Sequence, residues 1–101
     1  MAKNNRSSVP DYLVTTVNLL RDAGIMEASH SVVDAMIYII SEHISDRNLA
    51  QVLAYFPDYD YYISLNRVYQ IESIPPTDQA VLTEALNRLK IAGLDTWLAE
   101  E

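Results

Sequence analysis

The chain has 101 residues, of which 50% are hydrophobic and 21% are charged, and it contains no cysteine. This length and apolar content are typical of one folded domain with one core, and they exclude disorder over the whole chain. Without cysteine, the chain has no disulfides, no thiolate metal ligands and no thiol nucleophile.

The charge is strongly negative and unevenly distributed. Fourteen acidic side chains stand against seven basic ones, which gives a net charge of −7. Two of the basic residues, Lys3 and Arg6, belong to the polar segment 1–7, which we expect to be a flexible tail before a single domain over 8–101. We expect the acidic domain to be repelled by phosphate backbones and anionic membranes, and to be attracted to basic protein surfaces.

The apolar segments are too short to suggest a membrane protein. The longest of them, from Ala35 to Ile40, falls far below the roughly 20 residues that a bilayer-spanning helix needs. No apolar segment follows the first basic residues in the way that a secretory signal requires. The expected location is therefore the cytoplasm.

The spacing of apolar residues predicts two helices in the first half of the chain. The first covers about 9–23, with Ser8 as its N-cap, Pro10 in its first turn and Gly24 after its end. The second covers 29–44, where β-branched residues leave a strand as the alternative. Its polar residues recur on one helical stripe, which favours a helix buried around most of its circumference, at the centre of the fold.

The second half of the chain predicts three more helices and a terminal helical turn. The boundaries of these four elements come from cap residues and prolines: one begins at Ser45 and ends before Pro57, one covers about 61–71, one runs from a Thr77 cap to Gly93, and the last opens at Asp95. In the helix over 61–71, we expect Tyr62, Leu65, Val68 and Tyr69 to form the apolar face. We expect Trp97 to dock the last turn onto the other helices.

These elements predict an all-α fold, a compact bundle of five or six short helices. Short connections favour antiparallel packing of helices that follow one another in the chain.

No catalytic, cofactor-binding or metal-binding signature is present in the sequence. Both glycines are isolated, so no phosphate-binding loop exists. His30 and Asp34 share one helix face but would supply only two metal ligands. Asp58 does not open a calcium loop, because the sixth position holds Ile63 instead of glycine. We therefore expect a protein that is not an enzyme and needs neither a cofactor nor a metal.

The most informative local feature is a cluster of tyrosines interleaved with acids between residues 55 and 69. Consecutive tyrosines cannot all face one core, so we expect at least one or two to be exposed, where they suit interface hot spots. Flanking carboxylates would attract a basic partner. In the alternative interpretation, the tyrosines pack in the core or line a turn. The predicted partner-binding residues are Asp58, Tyr59, Asp60, Tyr61, Tyr62 and Glu72.

The sequence thus predicts a small acidic protein-binding module, an inhibitor or regulator that occludes a basic surface of a larger protein. Bacterial and phage immunity proteins share this profile of size and charge. One alternative is a helix-turn-helix regulator of DNA built around Pro57, but its second helix would begin with Asp58 and Asp60 and has no basic residue before Arg67. The other alternative is a structural subunit that acts as a homo-oligomer.

Overall fold

The computed structural model describes residues 9–100, and all the regular structure in that range is helical. The predicted all-α bundle is confirmed, and the segment 29–44 contains a helix and no strand. The predicted tail over 1–7 and the predicted Ser8 cap lie outside the described residues. The six helices are α1 (Asp11–Asp22), α2 (His30–Ser41), α3 (Asp46–Leu53), α4 (Tyr61–Ser73), α5 (Gln79–Ala92) and α6 (Leu94–Ala99).

Side-chain caps determine where several helices begin. The hydroxyl groups of Ser29 and Ser45 accept hydrogen bonds from backbone N–H groups in the first turns of α2 and α3. At α5, the structure corrects the predicted cap, because Asp78 and not Thr77 accepts from the backbone N–H of Val81. Both residue types can cap a helix, so the sequence alone does not choose between them.

The central helix of the bundle is α2. It packs against α3, α4 and α5, while α1 packs against α3, α5 and α6. Chain neighbours do not always pack together, since α1 does not contact α2 and α4 does not contact α5. As the sequence predicts, α2 is buried around most of its circumference. Its buried side chains are Val32, Val33, Ala35, Met36, Ile37 and Ile40.

Trp97 fixes the last helix to the first. Its side chain is buried, and its indole N–H donates a hydrogen bond of 3.0 Å to the hydroxyl of the buried Thr16 on α1. The ring also meets His43 edge to face, with 5.8 Å between centroids. The predicted docking role of Trp97 is confirmed.

Candidate functional site

The turn between α3 and α4 places two of the predicted acids at the surface. Asp58 has a φ of 71°, in the left-handed region, where no other non-glycine residue of the range 9–100 lies. Aspartate tolerates this conformation better than most residues. Asp60 is the N-cap of α4, and its carboxylate accepts the backbone N–H of Ile63 at 2.9 Å. Both exposed acids therefore shape the turn as well as supplying charge.

The three predicted tyrosines differ in burial. Tyr59 is half-buried and packs edge to face against Phe56, with 6.3 Å between ring centroids. Tyr61 is also half-buried, and its ring meets that of Tyr62 at 5.0 Å. Tyr62 itself is 73% exposed. The expectation that at least one of these tyrosines faces solvent is confirmed at Tyr62.

One side of α4 is exposed along its whole length and carries no charge. We call this side the outer face of α4, and it consists of Tyr62, Ile63, Asn66, Tyr69, Gln70, Ser73 and the following Ile74. Four of these residues are large and apolar, and their exposed fractions run from 44% at Tyr69 to 83% at Ile74. Exposed apolar side chains gathered on one surface are typical of interaction sites.

The core side of α4 differs from the predicted one. Its buried residues are Ser64, Val68 and Ile71. Of the predicted apolar face, Val68 is buried as expected, but Tyr62 and Tyr69 are exposed and lie outside the core. Ser64 is buried, with 3% of its surface exposed, whereas Tyr62 is exposed. This buried side of α4 meets α2 and α3, the two helices against which it packs.

Glu72 lies at the opposite end of α4 from the other predicted residues. Twelve residues separate it from Asp60, which is about 18 Å along a helix. Glu72 is exposed and lies beside Asp46 in the first turn of α3. A hydrogen bond between the two carboxyl groups, followed by some loss of hydration and the repulsion of Asp46, raises the pKa of Glu72 above its ordinary value of 4.5.

An ion pair joins α4 to α2 beside the outer face. The Nε of Arg67 donates to the Oδ1 of Asp34 at 2.7 Å, and its Nη2 donates to the carbonyl oxygen of His30 at 3.3 Å. The ring of His30 lies 3.6 Å from the second oxygen of Asp34. His30 and Asp34, considered above as metal ligands, therefore both accept hydrogen bonds from Arg67. Arg67 is the one basic residue of α4.

A groove of about 530 Å³ opens between α1 and the turn that precedes α4. Its walls are mostly apolar, with Val17 and Phe56 on opposite sides and Arg21 among its polar groups. Arg21 lies 3.6 Å from the carboxylate of its neighbour Asp22. The groove brings together no pair of carboxylates and no histidine for acid–base chemistry.

Sequence reasoning missed, as surface contacts, three of the four large apolar residues of the outer face: Ile63, Tyr69 and Ile74. Ile63 and Ile74 are eleven residues apart, which is three helical turns, so they lie on the same side of the helix axis. The available signal was that apolar residues cover most of the circumference of α4. A helix that packs against only two neighbours cannot bury all of them.

Similarity to other proteins does not point to a function. The chain matches no protein-family model, and no curated protein or solved structure is significantly similar to it. Within residues 9–100, no three His, Cys, Asp or Glu side chains are grouped so that they could hold a metal ion. None of the six helices has the length and apolar character needed to cross a membrane. The candidate site is the outer face of α4 with the acids around it, because exposed apolar side chains are gathered there.

We predict that Glu72→Gln raises the unfolding free energy above that of the wild type more at neutral pH than at acidic pH. A carboxyl group whose pKa is raised by folding contributes stability below its unfolded pKa and loses that contribution as the pH rises through the folded pKa. The variant should therefore gain unfolding free energy over the wild type between about pH 4 and about pH 7, measured by urea titration.

Glu100→Gln is the matched control, since it removes the same charge just after the end of α6, which packs against α1 and α5 and not against α4. Equal pH profiles for the two variants would show that the interaction of Glu72 with Asp46 does not affect stability.

Proposed function

We propose that the chain is a small acidic protein-binding module, an inhibitor or regulator that covers a basic surface of a larger protein. The observation that carries this proposal is the outer face of α4. In a chain with a net charge of −7, this face presents four exposed apolar side chains and not one charged group. No catalytic group is required for such a role, because occlusion acts by contact alone.

The composition of the outer face supports a protein partner. Tyr62 and Tyr69 offer large, rigid contact area with a polar tip, which is the chemistry enriched at binding hot spots. Ile63 and Ile74 are 70% and 83% exposed, so a partner that covers them would remove apolar surface from water. Neutral amides lie between these residues, so a partner can cover this face without burying a charge of this chain.

The charges around the outer face support a partner with a basic surface. Asp58 and Asp60 precede its first turn, and Glu72 and Asp46 lie near its last. Lysine and arginine on a partner would find carboxylates at both ends, which raises the rate of association and selects against acidic partners.

The same charges disfavour a second copy of this chain as the partner. If two copies packed through α4 in opposite directions, Asp60 of one would approach Glu72 of the other. If the helices ran in the same direction, Asp60 would approach its own equivalent. Both arrangements place like charges together, and like charges across an interface weaken association.

DNA as the partner has less support. The connection from α3 to α4 covers residues 54–60, whereas helix-turn-helix motifs use about three or four residues. The first turn of α4 follows two carboxylates, and Arg67 is held by Asp34 on α2. A recognition helix instead needs basic groups that reach phosphates and bases.

Removing apolar side chains from the outer face should weaken partner binding without unfolding the protein. We predict that the double variant Tyr62→Ala, Ile74→Ala binds its partner at least about tenfold more weakly, because hot-spot truncations typically cost 2 kcal/mol or more. The matched control is Tyr12→Ala, Ile91→Ala, since these residues are 66% and 89% exposed on α1 and α5. The measurement is affinity capture from the source cells, followed by titration with the captured protein.

An equal loss of affinity in the two double variants, or unchanged binding by the α4 variant, would show that the outer face is not the binding site. If the captured material is DNA, or if the protein captures only itself, the corresponding alternative replaces this proposal.

The acids at the start of α4 should control the rate of association. Asp58→Asn with Asp60→Asn removes two charges, while asparagine keeps both the tolerance for left-handed φ and the ability to cap a helix. We expect slower binding and a weaker dependence on salt, measured by stopped-flow or surface plasmon resonance.

Asp95→Asn with Glu100→Gln removes the same charge from the two ends of α6 and should leave the association rate nearly unchanged. An association rate that falls equally in both variants would mean that net charge, and not these two positions, steers the partner.

A further inference from the structure

We infer that the partner contributes an amphipathic helix that lies along the outer face of α4 and carries lysine or arginine near both of its ends. This inference rests on the proposed function. It adds the secondary structure of the partner segment and the order of charges along it.

The hydrogen bonding of α4 favours a helix as the occupant. The backbone groups of α4 bond within the helix, and Asp60 satisfies two N–H groups at its start, accepting from Ile63 with its side chain and from Ser64 with its carbonyl. The outer face therefore has no free backbone edge with which a strand could pair. A strand laid on this face would bury unpaired backbone groups, which is unfavourable, whereas a helix satisfies its own.

The length of the outer face matches about three turns of a partner helix. From Tyr62 to Ile74, the face extends for about 18 Å at the helical rise of 1.5 Å per residue. Apolar side chains lie at both ends and at Tyr69, and the amides of Asn66 and Gln70 lie between them. Ridges of side chains on a second helix can pack into the grooves on this face. Neutral polar residues in the middle of the partner helix would then meet the two amides.

The acids define the charge pattern of the partner helix. One pair of carboxylates, Asp58 and Asp60, lies before the face, and a second pair, Asp46 and Glu72, lies near its end. Because the second pair repels itself, a cation placed between its members would relieve that repulsion. Two basic residues about twelve positions apart on the partner helix would reach both pairs.

Site-specific photo-crosslinking measures the geometry of the partner segment directly. Two variants of the full chain, Tyr62→benzoylphenylalanine and Ile74→benzoylphenylalanine, are irradiated in the source cells, and mass spectrometry maps the residues of the partner that are captured. A helix gives attachment sites about 10–14 residues apart, centred on the roughly 12 that 18 Å requires. A strand gives about 5–6 residues for the same distance. Ile91→benzoylphenylalanine on α5 is the control position.

The expected result is a helical spacing with a lysine or arginine within one turn of each attachment site, and no capture of the same segment from position 91. A spacing of about 5–6 residues, or attachment to unrelated segments, overturns the helix while leaving the proposed function intact. Acidic residues beside the attachment sites overturn the charge pattern. Failure to capture a protein at both 62 and 74 overturns this inference and the proposed function together.

Discussion

The burial of α2 is the interaction on which the rest of the structure depends. Its large apolar side chains, among them Met36, Ile37 and Ile40, are fully buried, and α3, α4 and α5 all pack against it. Each such side chain contributes about 1.5–3 kcal/mol when removed from water. Since three helices compete for the surface of α2, each can bury only part of its own circumference. The outer face of α4 is the part of that helix that stays exposed.

The orientation of α4 about its axis is fixed by specific polar contacts as well as by packing. Arg67 reaches across to Asp34 on α2 at 2.7 Å, and the side chains of both residues are largely shielded from solvent. Charge-assisted hydrogen bonds of this kind are directional, so they favour one rotation of the helix over its neighbours. Asp60 fixes the first residue of α4, and Asp58 sets the turn before it. The exposed face is thus a consequence of packing against α2 and α3, of the ion pair beside that face and of the contacts at the start of the helix.

Local sequence signals were enough to predict the helices, the central position of α2 and the docking of Trp97. Apolar periodicity and cap residues act within a few positions of the chain, so they can be read without knowing the fold. They fail for α4, where apolar residues occupy both sides of the helix. Which side is buried depends on how α4 packs against α2 and α3, and in that packing Ser64 is buried while Tyr62 is exposed. Glu72 was grouped with Asp58 as an acid that would meet the same basic partner, although α4 holds the two at opposite ends.

Native-state hydrogen exchange tests most directly the claim that α4 is held rigidly with its apolar face outward. The buried contacts of Val68 and Ile71 and the bond between Arg67 and Asp34 predict that amides in the middle of α4 exchange only when the whole protein unfolds. Their opening free energies should then equal those of α2. If amides of α4 instead exchange far faster than those of α2, the helix opens locally. The exposed residues would then belong to a segment that rearranges, and not to a preformed surface.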